Sequence, residues 1–149
     1  MSKTIGNNRS TGKMTLQQVC ELLDGQFVCG ESYADQKVES ACGCDLMSDV
    51  LAFTRPGSVL LTGLTNPQVV RTAEMLDLKA IVFVRDKRPD QKTLDMAEKL
   101  GLVVILSPFP LYESCGKLYS AGMAGCQEKS GICAAGANLN GKAQMTDGV

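Results

Sequence analysis

With 149 residues the chain has room for one domain and falls short of two. Its 44% hydrophobic and 21% charged residues suit a folded globular protein, and 15 basic against 16 acidic side chains give no electrostatic footprint for nucleic acid or an anionic membrane. The absence of histidine removes Ser-His and Cys-His nucleophile pairs, the commonest near-neutral general base and every His-containing zinc site.

Residues 1–13 are polar and aperiodic and read as a loose arm. The first ten lack the apolar core of a signal peptide, and no run approaches the roughly 20 apolar residues of a membrane span, so a cytoplasmic chain is expected. Thr15 followed by Gln18 makes a capping box, which predicts a helix with Leu16, Val19, Cys20 and Leu23 on its apolar stripe, ended by Gly25. Met14 is placed to staple onto Val19. Extended stretches follow at Gln26–Cys29 and near Val38–Cys42, then one or two helical turns over Leu46–Phe53, closed by Pro56-Gly57.

From Ser58 the pattern becomes regular. Ser58–Leu61, Ala80–Val84 and Leu102–Leu106 are short apolar runs without alternation, the signature of strands buried on both faces of a parallel sheet. Asn66 as N-cap and Pro67 as first residue open a helix between the first two runs, with Val69, Val70, Ala73 and Leu76 inward. Asp90 caps the next helix, with Leu94, Ala97 and Leu100 inward and Gly101 as its stop. Pro110 opens a third, with Leu111, Cys115 and Leu118 on one stripe, ending near Gly122. Strand and helix in strict alternation predict an α/β three-layer sandwich with a mainly parallel central sheet over residues 14–123. Residues 124–149, rich in Gly, Ala and Asn, read as a weakly structured tail. Phe27, Val28, Met47, Leu51 and Phe53 form an expected apolar patch for a symmetric copy, hence a homodimer.

In such a sheet, ligands bind at the carboxyl ends of the strands, against helix N-termini. The loops there supply Thr62, Gly63, Thr65 and Asn66 from the first unit, Arg85, Lys87 and Arg88 from the second, and Ser107 from the third. Together they could hold a phosphate. The same residues also serve as plain connections, with Gly63 in a tight turn, Asn66 as a cap and the charges solvated. No phosphate-binding GxxxxGK[ST] or GxGxxG pattern occurs. The acidic clusters at Glu31–Glu39 and Asp45–Asp49 read as solvated charge, with Asp45 or Ser48 capping the short helix.

Seven cysteines are many for this length, but the odd number and a reducing compartment argue against a disulfide framework. Cys20 and Cys115 read as buried small hydrophobes. Cys42, Cys44 and Cys115 are the candidates for redox or metal work, although no CxxC occurs and no common zinc or iron-sulfur spacing is matched.

The run Cys42-Gly43-Cys44-Asp45-Leu46-Met47-Ser48-Asp49-Val50-Leu51, then Pro56-Gly57-Ser58-Val59-Leu60-Leu61-Thr62-Gly63-Leu64-Thr65-Asn66, then two further strand-loop-helix units, resembles the DRTGG domain. The resemblance covers about Met14 to Met123 and is nearest to stand-alone DRTGG-like proteins of anaerobic bacteria. The DRTGG domain occurs in regulatory proteins, near phosphotransacetylase domains and beside CBS pairs, and the resemblance implies a fold similar to the N-terminal domain of HPr kinase/phosphorylase. The naming motif is replaced: Thr65-Asn66 stands for its Asp-Arg, Val84-Arg85-Asp86 for its Thr-Gly-Gly, and of its Asp-Thr-Tyr only Tyr112 is kept, aligned as Pro110-Leu111-Tyr112. The resemblance implies a non-catalytic regulatory or ligand-sensing module, taking a nucleotide, a phosphate-bearing small molecule or a regulatory protein partner, with no catalytic residue or cofactor identified. The alternative is a cysteine-based redox or metal-handling accessory protein of anaerobic metabolism.

Overall fold

A computed structural model describes residues 13–126; the arm before them, the chain from residue 127 onward and Cys133 lie outside the described residues. The helix expected at Thr15 forms as α1 (Leu16–Leu22), with Thr15 and Gln18 making both halves of the capping box, and β1 (Met14–Thr15) precedes it. Next come β2 (Gln26–Cys29), β3 (Lys37–Val38), β4 (Ser40–Gly43) and α2 (Met47–Phe53). The regular half follows as β5 (Val59–Thr62), α3 (Pro67–Met75), β6 (Ala80–Phe83), α4 (Gln91–Lys99), β7 (Val103–Leu106), α5 (Leu111–Ser120) and β8 (Ala124–Gly125).

The three apolar runs are the centre of a six-stranded sheet in the order β2-β7-β6-β5-β4-β8. Leu60, Ile81 and Val104 lie side by side across it, every pairing from β6–β7 to β4–β8 is parallel, and β2 runs antiparallel on β7. Successive side chains of a strand leave opposite faces, so each run feeds two cores. Val59, Leu61, Val82, Val103 and Ile105 pack with Leu16, Val19, Leu23 and Leu118 of α1 and α5; Leu60, Ile81, Phe83 and Val104 pack with Val50, Val69, Ala73 and Ala97 of α2, α3 and α4. This is the expected three-layer α/β sandwich.

Several local expectations are corrected. The stop of α1 is not Gly25 itself: Leu23 is the C-cap and Asp24 takes the left-handed conformation at φ 50°. Gly25 is needed for proximity, because a Cβ there would stand 2.7 Å from Ile105 Cγ2 as β2 starts against β7. Leu100 is 44% exposed rather than inward, since α4 ends at Lys99 and the chain reverses through Gly101, handing the inner position to buried Leu102. In the proposed apolar patch Met47 is buried and Phe27 and Val28 are half-buried, leaving Leu51 and Phe53 exposed. The tail expected from Ala124 starts with a strand: Ala124 and Gly125 pair with Ser40 and Ala41, and Cys126 is buried.

Candidate functional site

Parallel β4, β5, β6 and β7 deliver their carboxyl ends to one side, so the loops after them gather there. Thr62, fully buried, donates from Oγ1 to Asp45 Oδ1 at 2.7 Å, and Gly63 N–H donates to the same oxygen at 2.8 Å. Thr62 Oγ1 in turn accepts the Leu64 N–H at 3.1 Å, and Lys87 Nζ donates to the Gly63 carbonyl at 3.4 Å. Asp45 is exposed, as expected of a solvated charge, but it also holds the first loop, and it is not the cap of α2, whose N-cap is Leu46 with no side-chain bond. Its carboxylate takes the backbone donor that an anion at Gly63 would need. Gly63 has no left-handed backbone, and a Cβ there would meet only ordinary contacts, the nearest Val84 Cγ2 at 3.7 Å. Neither a tight turn nor crowding requires glycine at this position.

The second loop makes a two-residue reversal in which Arg85 and Asp86 stand at φ 61° and 55°, with Lys87 N–H bonded to the Val84 carbonyl at 3.1 Å. Two consecutive left-handed residues without glycine each cost about 1–2 kcal/mol. Hydrogen bonds to the third loop hold them, Arg85 N–H to Phe109 O at 2.9 Å and Asp86 N–H to Ser107 O at 2.8 Å. The amides of Arg85, Asp86 and Lys87 are thus engaged, while the side chains from Arg85 to Arg88 are all exposed. Among the described residues the side chains of Arg85 and Arg88 have neither an ion-pair nor a hydrogen-bond partner.

Of the remaining expected residues, Ser107 is fully buried and serves the scaffold, donating from Oγ to Leu23 O at 2.9 Å and accepting Phe109 N–H at 3.3 Å. Asn66 accepts Gln68 N–H at 3.1 Å as the cap of α3, and Thr65 is half-buried. Tyr112, on the first turn of α5, is 91% exposed. It borders an apolar hollow of about 320 Å³ along α5, lined also by Gly43, Leu61, Cys115, Tyr119, Met123 and the backbone of β8. The Gly43–Tyr112 end of the hollow lies at the carboxyl end of β4. A Cβ at Gly43 would collide with Cys115 Sγ, so the glycine lets α5 sit close to the strand. Burial pushes the Cys115 thiol up.

The three candidate cysteines do not converge. Cys42 packs with the α2–α3–α4 core and Cys115 with the core of the opposite face, while Cys44 Sγ donates to Leu46 O at 3.5 Å. Among the described residues no group of three His, Cys, Asp or Glu side chains could hold a metal ion. Sequence reading missed Asp45 and Cys126, whose roles rest on strand register. The one available signal was position, an acid directly after a strand that neighbours the first loop.

No protein-family model matches the sequence, and no curated protein matches it. Among solved structures the chain is similar to the CBS and DRTGG domains of the regulatory region of Clostridium perfringens pyrophosphatase, determined in complex with the activator diadenosine tetraphosphate. The TM-score is 0.57 at 12% identity, over 76% of this chain and 51% of that one. The chain thus spans about half the length of that structure. At this identity the likeness is one of fold, and the fold is DRTGG-like.

Proposed function

We propose that the chain is a regulatory, ligand-sensing module without catalytic machinery of its own, and that its ligand is a nucleotide or a similar molecule carrying both a ring and phosphate. The observation that carries the reading is an apolar hollow along α5 whose Gly43–Tyr112 end lies at the same end of the sheet as Arg85 and Arg88, whose side chains have no partner among the described residues. Such a pairing of an apolar cavity with a few convergent polar groups is the usual form of a small-molecule site. The base lies in the hollow and the phosphates reach across the strand ends, two strand spacings or about 10 Å away. Phosphate recognition falls to the guanidinium groups, since the amides of Gly63, Arg85 and Asp86 are engaged. Within this reading Thr62, Gly63, Thr65, Asn66 and Ser107 shape the loops, and Lys87 steadies Gly63. The pyrophosphatase region, which has the same fold, was determined with a dinucleotide activator. The likeness to HPr kinase/phosphorylase and the cytoplasmic setting belong to the same proposal.

The test is a thermal-shift series on the full chain with inorganic phosphate, AMP, ATP and diadenosine tetraphosphate. A ligand that binds only the native state raises the melting temperature in proportion to its saturation. The adenine nucleotides should shift the midpoint more than phosphate alone, and Arg85→Ala/Arg88→Ala should abolish the shift without moving the unliganded midpoint. Tyr112→Ala should weaken every adenine ligand alike. Absence of any shift with all four overturns the nucleotide reading.

A further inference from the structure

β4 and β8 run parallel with Ser40 opposite Ala124 and Ala41 opposite Gly125. Carrying that register one residue onward sets Cys42 opposite Cys126. Neighbouring strands lie about 4.8 Å apart, within the Cα separation of about 4.4–6.8 Å that a disulfide bridges, and side chains at matched positions leave the same face. The two thiols are near enough that each is the largest cause of the shift in the other's titration. Buried Thr54 adds a hydroxyl, its Oγ1 donating to Cys42 Sγ at 3.4 Å. Arg55 N–H fixes the end of the segment by bonding Cys126 O at 3.0 Å. These groups also divide the protons: the neighbouring Cys42 thiol and the nearby hydroxyl and amide donors pull the Cys126 thiol down, and the same pairing, with burial, pushes Cys42 up. Among the described residues Cys115 packs across the sheet and Cys44 Sγ is turned to the Leu46 carbonyl.

We propose that Cys42 and Cys126 are a reactive dithiol that small-molecule disulfides oxidise reversibly to a protein disulfide, clamping β8 to the edge of β4. The Cys126 thiolate attacks one sulfur of the small disulfide, whose S–S bond breaks to release a thiolate. Cys42 then attacks the Cys126 sulfur of the mixed disulfide, gives its proton to a departing thiolate and expels the second half. Two electrons leave the protein pair and reduce one small disulfide to two thiol equivalents. Access comes from opening of β8, which two register pairs among the described residues join to the sheet edge. Because Ala124 and Gly125 also wall the hollow, the clamp fixes that wall; this last consequence alone rests on the proposed ligand site.

The experiment treats the full chain anaerobically with glutathione disulfide, blocks remaining thiols with iodoacetamide and maps the linkages by mass spectrometry. A peptide pair joining Cys42 to Cys126, reversed by dithiothreitol, is expected as the main product, with a melting midpoint about 5 °C or more above the reduced protein. Cys42→Ser should trap glutathione on Cys126, whereas Cys126→Ser should slow modification of Cys42 at least tenfold. A main linkage between any other two cysteines, mixed disulfides that persist in the wild type, or no reaction would overturn the proposal. Mapping reads the bond with no nucleotide present, so its failure is distinct from failure of the ligand site.

Discussion

Asp45 Oδ1 receives the Thr62 hydroxyl and the Gly63 amide at 2.7 and 2.8 Å, and Thr62 has no exposed surface through which water could replace that partner. Removing the carboxylate leaves the buried Thr62 hydroxyl without its acceptor, a loss of about 1–3 kcal/mol. Asp45→Ala should therefore lower stability by about that amount in urea unfolding. Asp45→Asn keeps an acceptor oxygen in place and should lose clearly less. If Asp45→Ala unfolds at the wild-type midpoint, the carboxylate does not hold the loop.

At the scale of elements, caps decide where the helices begin, and α4 carries one that titrates. Thr93 N–H donates to Asp90 Oδ1 at 2.9 Å and, as the largest cause, holds the Asp90 carboxyl below its usual value. A carboxyl with a folded pKa below its unfolded one contributes fully above the unfolded value, about 3.9, and loses that contribution as pH falls through the depressed value. The melting temperature of wild type should thus drop more steeply below about pH 4 than that of Asp90→Asn, whose amide oxygen caps without titrating. Parallel slopes in acid would show that the cap does not contribute through its charge. The Val84–Lys87 reversal is a contrasting element. Its left-handed Arg85 and Asp86 go against local preference and persist through the bonds to Ser107 and Phe109.

For the whole molecule, the edge strand β8 and the exposed part of α2 matter most. β8 covers the outer edge of β4, and Met123 and Cys126, the residues on either side of it, are buried. Ending the chain after Met123 should lower the melting temperature by uncovering that edge, whereas ending it after Cys126 should leave the described fold intact. Equal stabilities for the two truncations would show that β8 adds nothing. Leu46, Leu51 and Phe53 remain exposed on and beside α2, and a homodimer burying them is the expected state. Sedimentation should give a dimer that Leu51→Asp/Phe53→Asp converts to a monomer. A monomeric wild type at micromolar concentration would rule this assembly out.

The helix starts and the central strands are written locally. Thr15 and Gln18, Asn66 and Gln68, and Asp90 and Thr93 lie within one turn of each other, and the apolar runs of β5, β6 and β7 must be buried on both faces wherever they are placed. Those signals suffice for an α/β sandwich because backbone donors at a helix start and apolar surface in a strand have few other solutions. The site was legible only as a set of loops. Ser107 finds its acceptor at Leu23, Thr62 finds Asp45, and Cys42 finds Cys126 through contacts between segments far apart in the chain. The antiparallel seat of β2 and the short edge strand β8 are equally non-local. Strand order and register follow from how whole layers pack, and that packing decides which polar groups are consumed by the scaffold and which, like Arg85 and Arg88, are left facing solvent.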